Sequence, residues 1–251
     1  MDSYTNMVNS ISEYIHNVQP FSDLPLLTLS YAQSLDGSIS SRNSSQLLIS
    51  SSLSMKLTHF LRTIHQGIVV GINTIKSDNP SLTCRYVEGS NPIPIIIDSH
   101  LSIPLTSKVL DSNLHKQCIL FCQQEDFEGK QERMSQLLLL NIMIIECPKD
   151  INSNSLDILY GFKQIKSICS SIFIEGGAQI ITYFIQHYFH FISTVIITIA
   201  PFYVGGYNSI QTQIQSNNQY KTRNHLPEIT IINTVILEND IVLLGKPLLS
   251  M

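Results

Sequence analysis

The chain's chemistry concentrates in three stretches, the first being Ile172-Phe173-Ile174-Glu175-Gly176-Gly177-Ala178-Gln179-Ile180-Ile181. An apolar run leads through a carboxylate into two glycines and then into helical spacing. Paired glycines let a backbone approach a ligand closely, and a helix N-terminus offers free N–H groups with partial positive charge, a combination suited to a phosphate. Gly-Gly also makes ordinary strand-to-helix turns. What gives the stretch weight is Glu175, at the strand end where open α/β sheets bind their ligands. The second stretch, Gly71-Ile72-Asn73-Thr74-Ile75-Lys76-Ser77-Asp78-Asn79-Pro80-Ser81-Leu82-Thr83, reads as a loop after a short buried strand. Gly71 allows close backbone approach, Thr74 supplies a hydroxyl, and Asp78 fits either an Asx turn or a ligand contact. It is neither a Walker loop nor a Gly-x-Gly-x-x-Gly turn. The third is Ser30-Tyr31-Ala32-Gln33-Ser34-Leu35-Asp36-Gly37, with His59 and Arg62 downstream. Ser30, Gln33 and Asp36 could hydrogen-bond a polar heterocycle and Arg62 could pair with a phosphate, although a turn and a solvated helix face would use the same residues.

Other chemistries lack their residues. There is no His-x-Glu followed by Pro-Cys-x-x-Cys, no Gly-x-Ser-x-Gly elbow and no His-Glu-x-x-His, so zinc-deaminase and the commonest hydrolase patterns are missing. Fifteen basic against nineteen acidic residues give a net charge of -4, with no Lys/Arg cluster, which argues against a nucleic-acid surface. The five cysteines show no pairing pattern, and Cys118 and Cys122 fit small hydrophobes of one strand better than a metal pair. Met1 to Pro20 lacks a basic region followed by an apolar one, and Phe189 to Val204 is too interrupted to span a membrane. A reducing, cytoplasmic setting without metal is expected.

The elements that must position these residues alternate along the 251-residue chain. Leu26 to Ala32 reads as a strand. After a Ser/Asn-rich loop (Ser40 to Gln46), Ser50 to Ser52 offers N-caps for a helix with Leu53, Leu57, Leu61 and Ile64 on one face and His59, Arg62 and Gln66 on another. Strands are predicted at 67–71, 93–97, 118–122, 141–147, 171–174 and 194–200, and helices at 156–169 and 178–188. A hairpin is predicted from Ile229 to Leu244 around Glu238-Asn239-Asp240. This order implies an α/β fold with a mixed, mostly parallel sheet flanked by helices and a C-terminal antiparallel hairpin. Residues 1–23 read as a helical arm and 24–251 as a single domain.

Taken in order, these stretches, with Thr58-His59-Phe60-Leu61-Arg62 and Ile95-Ile96-Ile97-Asp98 between them, resemble the riboflavin-pathway reductases. The match spans about Leu24 to Gly206 and is to the stand-alone fungal and archaeal 2,5-diamino-6-ribosylamino-pyrimidinone 5′-phosphate reductases. The C-terminal domain of the bacterial bifunctional deaminase-reductase is similar too. The resemblance implies a dihydrofolate-reductase-like fold, a homodimer, and NADPH-dependent reduction of a ribosylamino to a ribitylamino group on a pyrimidine. It further implies cofactor contacts from Gly71, Thr74 and Asp78, and from Gly176, Gly177, Ala178, Gln179 and Ile180 around the pyrophosphate. Ser30, Gln33, Asp36, Arg62 and Glu175 would line the substrate side, with Asp36 or Glu175 steering the proton.

Two positions depart from the family pattern. Ser102 stands where many members carry Arg near the adenosine 2′-phosphate, which leaves NADH possible and His100 or Lys108 as substitutes. Ser38 stands where many carry Lys, so Arg42, Arg62 or Arg85 would have to hold the substrate phosphate. A reductase of another, pterin-like substrate and a non-catalytic nucleotide-binding module remain the alternatives. Substrate exchange in one NADPH assay separates them.

Overall fold

The computed structural model describes residues 2–21, 23–40, 48–150, 155–205, 209–210 and 226–248. Its strands are β1 (Leu26–Ser34), β2 (Gly67–Gly71), β3 (Ile93–Ile97), β4 (Ile119–Gln123), β5 (Met143–Cys147), β6 (Ser171–Ile174), β7 (Thr194–Ala200), β8 (Ile229–Leu237) and β9 (Asp240–Pro247). Its helices are α1 (Ser3–Asn17), α2 (Ser52–Ile64), α3 (Ile72–Asp78), α4 (Lys130–Leu139), α5 (Ile158–Ile165) and α6 (Ala178–His187). Pairing is mixed and mostly parallel, with the antiparallel pairs among the last strands, as the sequence predicts. The chain divides into two compact units: one holds 1–19, 27–57 and 178–251, the other 20–26 and 58–177.

In the second unit the strands run β5-β4-β3-β2-β6, every neighbour parallel. Ile68, Val69, Val70, Ile95, Ile96, Ile119, Leu120, Phe121, Ile172, Phe173 and Ile174 are all at 0% exposure. Consecutive residues point to opposite faces of a strand, so complete burial of such runs means both faces are covered, the signature of a parallel sheet under helices. Each such side chain contributes about 1.5–3 kcal/mol of burial. The packing tolerates no extra atom at Gly161 of α5, where a Cβ would meet the Phe121 ring at 2.5 Å. Parallel pairing in register (Val69 with Ile174, Gly71 with Ile97) brings the carboxyl ends of β2, β3 and β6 to one edge.

In the first unit β1 pairs in parallel with β7, β7 in antiparallel with β9, and β9 with β8. The hairpin turns at Glu238, whose φ of 56° lies in the left-handed region. Helix α1 is capped by the Asp2 carboxylate, which accepts from the Thr5 amide at 2.8 Å, and it buries Met7 and Ile11 completely. The residues 1–23 read as an arm thus include a helix packed along β8. Ser51 begins α2: its Oγ accepts from the Ser54 amide, and its own amide donates to the buried Asp240 carboxylate of β9 at 2.7 Å.

Two elements escape the sequence pattern. The stretch 72–78, read as loop, is the short helix α3, closed by Asn79 in the left-handed conformation (φ 41°). Helix α4 lies where the sequence pattern predicts no element. Both are short, and α3 carries β-branched Ile72, Thr74 and Ile75, which lower helix propensity.

Candidate active site

The second unit places Glu175, Gly176 and Gly177 just beyond β6. The Glu175 amide donates to the Val69 carbonyl of β2 at 3.1 Å, which extends the ladder by one bond before the chain turns. Gly176 then takes φ 137°, a conformation a side chain would strain. At Gly177 an added Cβ would meet only Thr74 Oγ1, at 3.8 Å, an ordinary contact. Packing therefore does not demand glycine at 177. Its bare backbone leaves open space beside the Thr74 hydroxyl, which itself has no hydrogen-bond partner among the described residues. An exposed backbone beside an uncommitted hydroxyl at the carboxyl edge of a parallel sheet suits a phosphate group. Asp78, the last residue of α3, is half-buried and also without a hydrogen bond or ion pair among the described residues.

Glu175 is held by a guanidinium. Arg62 Nε donates to one carboxylate oxygen at 3.1 Å and Nη2 to the other at 2.7 Å, while Nη1 donates to the Thr83 carbonyl at 3.0 Å. The two side chains are only 11% and 15% exposed. A fork of two parallel bonds in such surroundings is strong and directional. One turn earlier on α2, His59 Nδ1 accepts from the Arg85 amide at 2.8 Å. The helix thus grips the 83–85 backbone at two points, next to Leu82, whose φ of 50° places a buried leucine in the left-handed region. Sequence reading left His59 and Arg62 with a solvated face as the alternative. The structure corrects that: His59 is at 0% exposure, and burial with the charges of Arg62 and Arg85 lowers its pKa to about 4.

Beyond β3, Asp98 is buried and accepts from Ser102 Oγ at 2.9 Å and from the Ile103 amide at 2.8 Å. Arg133 of α4 donates to the Leu101 carbonyl at 2.7 Å and also to that of Ile103, fixing the loop around Leu101 (φ 51°). While the His100 ring packs against Phe127, another side chain reaches Ser102. It is Lys76 of α3, whose Nζ donates to Ser102 Oγ at 2.8 Å. Neither Lys76 nor Arg133 had been singled out from the sequence, because only the tertiary fold brings α3 and α4 to that loop.

In the first unit, Ser30 and Gln33 lie on β1 with opposite parity and so on opposite faces of the strand. Asp36, in the turn after β1, accepts from Ser34 Oγ and from the amides of Val204 (3.2 Å) and Gly205 (2.6 Å). Ala178, Gln179 and Ile180 form the first turn of α6. Ser38 is buried. Arg42 lies outside the described residues. Tyr31, beside these positions, has its hydroxyl pKa pushed up to about 12 by burial. Among the described residues no group of His, Cys, Asp or Glu could hold a metal, and no helix is long and apolar enough to cross a membrane.

Comparison with known proteins shows the family and the fold. Residues 25–243 match the family described as the RibD C-terminal domain. The chain is 33% identical over 208 residues to the 2,5-diamino-6-ribosylamino-4(3H)-pyrimidinone 5′-phosphate reductase of Debaryomyces hansenii, covering 78% of this chain and 81% of that protein. It is 31% identical over 183 residues to the riboflavin biosynthesis protein RibD of Aquifex aeolicus, of which it spans only 48%. The fold is that of the riboflavin biosynthesis reductase Rib7 of Saccharomyces cerevisiae, with a TM-score of 0.73, 23% identity and coverage of 97% and 100% of the two chains. The chain belongs to the RibD C-terminal domain family.

Proposed function

We propose that the chain is an NADPH-dependent reductase that converts the ribosylamino side chain of 2,5-diamino-6-(5-phospho-ribosylamino)pyrimidin-4(3H)-one to the ribitylamino compound, a step of riboflavin biosynthesis. The observation that carries the reading is one edge of one parallel sheet. It holds the open Gly177 backbone, the unpaired Thr74 hydroxyl and the Glu175–Arg62 pair together, in a chain whose relatives are named for this reaction. NADPH would supply the hydride. Gly71, Thr74, Asp78 and the 176–180 turn would hold it, and the Lys76 ammonium on Ser102 would meet the 2′-phosphate, which favours NADPH over NADH. Arg62 and Glu175 would contact the substrate, and by the family resemblance Ser30, Gln33 and Asp36 would as well. Once the sugar opens and forms an imine with the pyrimidine amine, hydride adds at the former anomeric carbon. Glu175 is the better candidate for steering the proton needed in ring opening, because its partner is a side chain that can move. Arg85 spends one N–H on Ser81 Oγ and keeps the rest for the substrate phosphate.

The reading extends to the setting. Exposed Ile231, Ile232 and Ile236 on β8 suit a homodimer, and five free thiols suit the cytoplasm. We take residues 24–251 to work as a single reductase domain. The test is NADPH oxidation with the diamino-ribosylamino-pyrimidinone phosphate, the product identified by mass. A gain of two hydrogens is expected, and saturable NADPH binding without product would overturn the reading. Lys76→Gln should raise the KM for NADPH about tenfold and leave that for NADH unchanged. An equal effect on both would remove Lys76 from 2′-phosphate recognition.

A further inference from the structure

His59 has a donor that nothing among the described residues uses. A backbone N–H can only donate, so the Arg85 amide bond at 2.8 Å requires an unprotonated Nδ1. The ring proton of the neutral imidazole is therefore on Nε2. That nitrogen is fully buried and without a hydrogen-bond partner among the described residues. Buried donors are rarely left unmade, because their water is lost without replacement. The surroundings define what would satisfy this one. Arg62 lies one turn away on the same face of α2, Arg85 is the residue whose amide fixes the ring, and both guanidiniums act on the imidazole. A neutral N–H donor with two guanidiniums nearby suits an oxyanion, since a neutral acceptor would gain nothing from them.

We propose that His59 is a further substrate-binding residue, its Nε2–H donating to the phosphate of the substrate beside Arg62 and Arg85. The proposal rests on the reading above that Arg62 faces the substrate. Tyr86 packs edge-on against the imidazole at 4.6 Å and is itself 57% exposed, so that rotation of this side chain would be the route by which a ligand reaches the ring. Two roles then belong to one ring. Nδ1 pins the 85 backbone, and Nε2 reads the ligand.

Substitution can separate these roles, because an Asn oxygen reaches the position of Nδ1 and a Gln amide reaches that of Nε2. His59→Asn keeps the acceptor for Arg85 and removes the far donor. It should raise the KM for the phosphorylated substrate about tenfold, with kcat and the KM for NADPH within about twofold. The KM for the dephosphorylated substrate should not move, and His59→Gln should recover most of the lost affinity. A wild-type KM in His59→Asn, or an equal rise for both substrate forms, would overturn the proposal and leave His59 as a pin for the loop. A second measurement does not depend on turnover or on a folded variant. Inorganic phosphate titrated into the 15N-labelled wild-type protein should shift the Nε2–H signal assigned to His59 downfield, with His65 and His115 as buried controls, and an unmoved His59 signal would overturn the proposal. Absence of turnover by the wild-type protein would instead count against the assigned reaction, with the phosphate titration still deciding His59.

Discussion

Asp36 and Glu175 look alike in the sequence: each follows a strand with a parallel neighbour, and each precedes a glycine at positive φ (76° at Gly37, 137° at Gly176). Their oxygens are spent differently. Asp36 accepts from the hydroxyl two residues behind it and from two amides of the 204–205 segment, and those amides cannot leave without unfolding a turn. Glu175 gives both oxygens to one guanidinium 113 residues away, a side chain with rotamers to spare. A carboxylate bound by backbone amides is a tie, whereas one bound by a long cation can trade that partner for a ligand. The pair therefore teaches that an acid at a strand end is judged by what holds it and not by where it sits.

Substitutions can break this contrast. The largest effect is expected from Glu175→Gln, which leaves Arg62 uncompensated in a site where losing one partner of a buried pair costs about 3–5 kcal/mol. Steady-state kinetics should show kcat/KM down by about a hundredfold or more. Asp36→Asn puts an amide donor against the Val204 and Gly205 amides and should lower stability by about 1–3 kcal/mol, read as a fall in Tm. Its kcat should fall less than that of Glu175→Gln. A collapse of kcat at unchanged Tm would reverse the two roles. The neighbouring glycines sharpen the picture. Gly176→Ala forces a side chain into φ 137° at a cost of about 1–3 kcal/mol. Gly177→Ala, with its Cβ in ordinary contact at 3.8 Å, should keep stability within about 0.5 kcal/mol yet raise the KM for NADPH.

Acid acts on stability through α2 and the residue that follows it. His59 and His65 both have pKa values lowered to about 4 by burial, against 6.5 for the free side chain. The unfolded chain therefore takes up protons first as pH falls. Stability present above pH 6.5 is lost between 6.5 and 4, by up to about 1.4 kcal/mol per pH unit for each histidine. Urea midpoints at pH 7 and pH 5 measure it, and equal midpoints would show that neither ring is held neutral.

The sheet was legible because burial on both faces writes itself as continuous apolar runs: the bounds of β2, β3, β6 and β7 match those read from Gly67–Gly71, Ile93–Ile97, Ser171–Ile174 and Thr194–Ala200. The glycine pair was legible for a similar reason, since its consequence is local. What stayed hidden depends on chain crossings. Nothing near Lys76 announces Ser102, and nothing near Arg133 announces the carbonyls of Leu101 and Ile103. His59 carried no signal either, for an isolated histidine on a helix reads as solvated until Arg85 is folded against it. Helix α3 was missed because seven residues with three β-branched side chains hold their shape through the strand before them and the left-handed cap after them.

The hook between Ser51 and Asp240 sets an order for synthesis. The amide that opens α2 is satisfied by a residue made 189 positions later, and Ser52 Oγ reaches Glu238 in the same turn. On the ribosome the helix that carries His59 and Arg62 emerges long before its anchor exists. A nascent chain halted short of β9 would leave the Ser51 amide and the Ser52 hydroxyl without these partners, and release of that strand becomes the moment at which the helix start is tied down.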